Sequence, residues 1–130
     1  MNWNVLASSS YGAASRLARE QRYERSAVSR AYYAAYSRAV HALVTCDCGV
    51  AFPVAREGPS HTKLPGLIEN HLRVLGQYRW RVADHLRDLY TLRVMADYCP
   101  SELVETAAAL KAVSLMIQVF VLTKGAVDEP

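Results

Sequence analysis

The sequence predicts an all-α protein. Three observations predict it: apolar residues recur every three and four positions through long windows, no window alternates at the period of a strand, and glycine and proline gather between the windows. At 130 residues the chain has the size of one domain with a core of its own. The expected architecture is an antiparallel four-to-five-helix bundle with up-and-down connections. It is one domain over residues 1–130, with its helical core at about 4–124.

Residues 4–22, NVLASSSYGAASRLAREQR, read as a first helix, with Leu6, Ser10, Ala13 or Ala14, Leu17 and Gln21 on its inner face. The most regular window is 24–45, ERSAVSRAYYAAYSRAVHALVT. Val28, Tyr32, Ala35 or Tyr36, Ala39 and Leu43 form one stripe, and Ala27, Ala31, Ala34 and Ala42 line the next, as a helix touched from several sides requires. Ser26 is a candidate cap for its start and Gly49 for its end. Residues 46–60 carry two prolines and two glycines and read as a loop. A short helix then follows Ser60 or Thr62 through LPGLIENHLRVL, interrupted near Pro65 and Gly66.

Over 78–98, Val82, Leu86, Leu89, Arg93 and Ala96 step along one face, so Arg93 stands where the stripe calls for an apolar residue. Pro100 ends that helix. The last helix spans 102–123, with Leu103, Ala107, Leu110, Val113 or Ser114, Ile117 and Phe120 or Val121 inward, and the tail GAVDEP reads as frayed.

Bulk properties narrow the function classes. No apolar run reaches the length of a membrane span and the first residues lack a signal-peptide pattern, so a soluble, cytoplasmic protein is expected, with no membrane partner. Three cysteines, an odd number, argue against a disulfide framework and for free thiols in a reducing compartment. The C-x-C spacing of Cys46 and Cys48 does not suit a structural zinc site, and no metal or cofactor is assigned. Phosphate-loop, dinucleotide-binding, H-E-x-x-H and G-x-S-x-G patterns are all missing. The net charge of +3 is mild, although twelve of the fifteen basic residues are arginine. A guanidinium fork suits phosphate, but a codon bias toward arginine would give the same count.

The candidate site centres on Arg93. Asp97 lies one turn on, at a spacing that permits a simple salt bridge or an Asp that orients Arg93 toward a phosphate. Arg30 and Tyr33 share a face of the second helix, and an antiparallel pairing with the fourth helix would bring the Tyr33 hydroxyl toward Arg93. His61, at the start of the short helix, is a further candidate for the same groove, and local turn stabilisation is its plainer role.

The order of QRYERSAVSRAYYAAYSRAVHAL, GPSH and L-x-x-LY-x-LR-x-x-ADY, followed by a closing amphipathic helix, resembles the small stand-alone HEPN proteins of prokaryotes over residues 4–124. The resemblance implies a homodimeric helical bundle that binds RNA or a nucleotide, in a toxin–antitoxin or defence module with a nucleotidyltransferase partner. Family nucleases pair an arginine with a histidine a few residues on, for metal-independent RNA cleavage. Here Arg93 matches that arginine, but Tyr98 occupies the histidine's place, and an unperturbed tyrosine is a poor base at neutral pH. Arg79 and His85 offer a looser match upstream, which makes His85 the alternative source of an imidazole. Catalytic candidates are therefore Arg93, Tyr98 and His85; phosphate-binding candidates are Arg93, Asp97, Tyr98, Tyr33, Arg30 and His61. Three functions stay open: nucleotide or RNA-phosphate binding, ribonuclease toxin, and structural or protein-interaction scaffold.

Overall fold

The computed structural model describes residues 2–20, 23–46, 59–98 and 106–127. Among them are six α-helices and one 3-10 turn, packed as a bundle, and no strand: α1 (Trp3–Leu17), α2 (Glu24–Thr45), α3 (Leu64–His71), the 3-10 turn Arg73–Leu75, α4 (Tyr78–Tyr98), α5 (Thr106–Leu122) and α6 (Lys124–Val127). None of these helices is long and apolar enough to cross a membrane.

α2 is the central element and packs against α1, α4 and α5. Both alanine stripes explain this: Ala27, Ala31, Ala34, Ala35, Ala39 and Ala42 are fully buried, as is Val28, and short side chains let neighbouring helices approach from different sides. The α2 and α4 windows coincide with the predicted boundaries, although α2 begins after Tyr23 with no side-chain cap and ends at Cys46, so neither Ser26 nor Gly49 is its cap.

Interhelical contacts fix the directions. Arg25 reaches Ala96 and Tyr33 is reached by Arg93, so α2 and α4 run antiparallel. Glu24 meets Thr106 and Arg38 meets Thr123, so α2 and α5 run parallel, and α4 and α5 are therefore antiparallel. On α4 the stripe Val82, Leu86, Leu89, Arg93 and Ala96 is buried throughout, the arginine included.

Several expectations are corrected. α1 stops at Leu17, starts from an Asn2 cap whose Oδ1 accepts from the Val5 amide at 3.1 Å, and turns Ala7, Ala14 and Ala18 inward while Leu6 is exposed. On α5 the core face is Ala109, Ala112, Leu115, Met116 and Val119, whereas Leu110, Ile117 and Val121 are exposed. Both helices are apolar or small around most of their circumference, so periodicity alone did not select the buried face.

Pro65 and Gly66 lie inside the first turn of α3 rather than breaking it, because an amide in that turn has no helical partner to lose. Gly125 to Val127 belong to α6, held by the buried Ala126, rather than to a frayed tail. Cys46 is disulfide-bonded, with its partner outside the described residues, so the expectation of free thiols fails there. An odd count excludes complete pairing but not one bond. The predicted loop at 46–60 and the start of the last helix at 102–105 fall largely outside the described residues.

The turn from the 3-10 segment into α4 needs Gly76, whose φ of 58° lies in the region that disfavours other residues. Arg79 secures the corner: its Nε donates to the Glu69 carbonyl at 2.8 Å, its Nη1 to the Gly76 carbonyl at 3.0 Å, and its guanidinium lies over the Trp80 ring. Arg87 adds a fork onto the Glu69 carboxylate at 2.8 and 3.0 Å, which ties α4 to α3.

Candidate functional site

Arg93 reaches the α2–α4 seam from the second-last turn of α4 and is only 9% exposed. Its Nη2 donates to the Tyr33 hydroxyl at 2.8 Å. Its guanidinium carbon lies 4.8 Å from the Tyr33 ring centroid and 5.4 Å from that of Tyr32. Aromatic faces attract a cation electrostatically while excluding water, so the guanidinium is partly compensated and yet desolvated. Such a cation gains more from an arriving anion than one already in bulk water would.

His61 joins this cluster from the segment before α3. The Tyr36 hydroxyl donates to the Pro59 carbonyl at 2.6 Å and pins that segment to α2. The imidazole then lies among aromatic rings, 5.1 Å from Tyr36, 5.2 Å from Tyr32 and stacked on Tyr90 at 5.6 Å. Its Nδ1 is 2.5 Å from the Tyr32 hydroxyl oxygen. Burial lowers the pKa of His61 from its ordinary 6.5, and the neighbouring Arg93 charge lowers it further. Burial pushes the Tyr32 phenol upward, against the opposing pull of Arg93.

These shifts and the hydrogen-bond inventory fix a tautomer. Tyr32 is 1% exposed and stays protonated, and among the described residues His61 Nδ1 is its hydroxyl's only hydrogen-bond partner. A buried hydroxyl proton needs an acceptor, so Tyr32 donates and Nδ1 accepts. The proton of the neutral imidazole is then on Nε2, which makes no protein hydrogen bond among the described residues and is not sealed from solvent. Arg93 and His61 thus place a cation and a neutral N–H donor in one aromatic cluster, close enough for the charge to act on the ring. Protonating His61 at Nδ1 would take away the acceptor of the Tyr32 hydroxyl proton, so the pair favours the neutral ring.

Tyr33 is 38% exposed and forms the boundary between this cluster and an open cleft of about 510 Å³. Arg25, Ser26, Ser29, Arg30 and Ala96 line the rest of the cleft. Arg25 Nη1 donates to the Ala96 carbonyl at 2.5 Å, which closes the cleft floor between α2 and α4.

Of the predicted residues, the structure brings Arg93, Tyr33 and His61 together, with Arg30 one turn from Tyr33 on the cleft wall. Asp97 and Tyr98 occupy the last turn of α4, and their side chains lie outside the described residues. His85 lies two turns before Arg93, and its Nε2 is buried with no hydrogen-bond partner among the described residues. Arg79 is engaged at the Gly76 corner rather than with His85.

Sequence reasoning missed Tyr32 and Tyr90 as site residues. Tyr90 carried a signal, since it stands three positions before Arg93 and shares its face. Tyr32 read as core, which it also is. Among the described residues no group of three or more His, Cys, Asp or Glu side chains is arranged to hold a metal ion. Compared with protein-family models, curated proteins and solved structures, the chain finds no match.

Proposed function

We propose that the protein binds the phosphate of an RNA or nucleotide at Arg93, with Tyr33 and His61 as its polar partners. The observation that carries this reading is the buried Arg93 guanidinium, held on two tyrosine rings in one cluster with a histidine whose titration feels its charge. A phosphate oxygen there would accept charge-assisted hydrogen bonds, and the rings offer stacking faces for a base. The motif order supports placing the chain among HEPN-like proteins. With it come homodimerisation and a nucleotidyltransferase partner in a toxin–antitoxin or defence setting as parts of the same proposal.

The test is a titration of a labelled single-stranded RNA at matched salt against wild type and Arg93→Ala. The folded variant should bind at least about ten-fold more weakly, the lower range for a lost charge-assisted hydrogen bond. Equal affinities would remove Arg93 from the account.

A second reading, ribonuclease activity, is favoured by His61, whose imidazole stands near Arg93 although α4 supplies none at position 98. As a base His61 would need a bare Nε2, the opposite of the tautomer that Tyr32 selects. Cleavage that persists in excess chelator and is lost in His61→Asn would establish this reading, and intact RNA after prolonged incubation with concentrated protein would oppose it.

A further inference from the structure

Arg25, Ser26, Ser29 and Arg30 occupy the first two turns of α2, at spacings that place them on one side of the helix, and Tyr33 continues that side by one turn. Together with Ala96 of α4 they enclose the cleft of about 510 Å³. Five of these six residues carry hydroxyl or guanidinium donors, and no carboxylate is among the described residues lining it. Arg30 is exposed and makes no protein hydrogen bond among the described residues. The alanine at position 96 leaves the α4 wall low. The Tyr33 hydroxyl, already accepting from Arg93, makes this cleft continuous with the Arg93 cluster.

We infer that the cleft is a second phosphate subsite, so that the ligand is a single strand bearing successive phosphates rather than a mononucleotide. This rests on the phosphate-binding reading of Arg93. Length supports it: from Tyr33 back to Ser26 the helix rises about 10 Å at ~1.5 Å per residue. A fully stacked strand advances only ~3.4 Å per phosphate and a looser single strand more, so three phosphates, the one at Arg93 included, fit along that distance. One phosphate lies at Arg93 and His61, the next against Arg30 and Ser29, and a third toward Ser26 and Arg25. Tyr33, partly exposed between the first two, has the position of a stacking platform for the intervening base.

The experiment is an anisotropy titration of the full chain with a labelled oligouridylate of about eight nucleotides, repeated over a range of salt, with uridine monophosphate measured in parallel. Arg30→Ala is the test variant because its side chain is exposed and its loss leaves the core intact. Arg73→Ala, an exposed arginine on the 3-10 turn, controls for general charge.

Wild type should bind the oligonucleotide with a log–log salt slope of about −2, from three phosphates at ~0.7 each. Arg30→Ala should weaken it about five-fold, equivalent to ~1 kcal/mol, and make the slope shallower by ~0.7, with the monophosphate and the Arg73→Ala protein unchanged. An Arg30→Ala protein with wild-type affinity and slope would overturn the subsite while leaving Arg93 binding in place. Equal losses for oligonucleotide and monophosphate would overturn it too, by merging the cleft with the Arg93 site, as would equal losses in Arg73→Ala. Wild-type protein that binds neither probe would remove the Arg93 reading and this subsite with it.

Discussion

Arg38 on α2 and Arg93 on α4 are both buried guanidiniums, 6% and 9% exposed, but their surroundings differ. Arg38 lies between α1 and the α5–α6 junction. Its Nε donates to the Thr123 hydroxyl at 3.0 Å, its other nitrogens approach Asn4 Oδ1 and the Phe120 carbonyl, and its guanidinium lies over the Phe120 ring. Thr123 is itself fully buried and donates onward to the Val119 carbonyl at 2.7 Å. Arg93 instead donates to a tyrosine hydroxyl at the lip of an open cleft and faces rings and a histidine. Burial of an arginine therefore does not reveal its role. Arg38 joins α1, α2 and the α5–α6 junction through its hydrogen bonds and itself lines a cleft of about 400 Å³, whereas Arg93 meets the 510 Å³ cleft through the Tyr33 hydroxyl.

The largest expected effect tests the first half of that contrast. Arg38→Ala should cost about 3 kcal/mol of stability, from lost hydrogen bonds to a charged group and lost packing on Phe120, with RNA affinity unchanged in the folded fraction; urea denaturation measures it. Arg93→Ala should behave oppositely. Its stability loss should be about 1 kcal/mol, because water can replace it at the partly exposed Tyr33 hydroxyl, while RNA affinity falls at least about ten-fold. Equal destabilisation by the two substitutions, with binding intact in both, would erase the distinction.

Tyr32→Phe sharpens the comparison from the histidine side. Without the hydroxyl donor the Nε2–H tautomer loses its preference, readable in the ring-nitrogen shifts by NMR, while burial and the Arg93 charge still hold the His61 pKa below 6.5. The same depression has a sign for stability. Below 6.5 and down to the folded-state value, the unfolded chain holds the His61 proton more often than the folded one. Stability should therefore rise with pH across that window, and this contribution should be lost as pH falls through it. Arg93→Ala, which removes one cause of the depression, should flatten the dependence.

The smallest effect is expected at the α3–α4 surface. Arg87 is about half exposed and holds Glu69 below the usual carboxylate range, mainly through their hydrogen bond. Glu69→Gln should cost less than about 1 kcal/mol.

Much of the fold was legible. The boundaries of α2 and α4 follow from alanine and apolar periodicity, and the position of Arg93 within the α4 stripe was visible as a charge among apolar residues. The approach of Tyr33 to Arg93 followed once antiparallel packing was assumed. The tautomer of His61 was not legible, because Tyr32 and His61 are 29 residues apart and meet only when the Pro59 segment is pinned by Tyr36. Nor was the bracing role of Arg38, whose partners come from α1 and the far end of α5. The inner faces of α1 and α5 were misread for a simpler reason: a helix apolar on most sides leaves the choice of face to its neighbours.

The central claim is that Arg93 and His61 together receive a phosphate, and the most direct measurement follows the His61 ring nitrogens by NMR while single-stranded RNA is added. The free protein should show a neutral ring protonated at Nε2. Saturating RNA should shift the Nε2 resonance and raise the His61 pKa, because a phosphate offsets the Arg93 charge that depresses it. A ring protonated at Nδ1, or His61 resonances that stay fixed at saturation, would contradict the account.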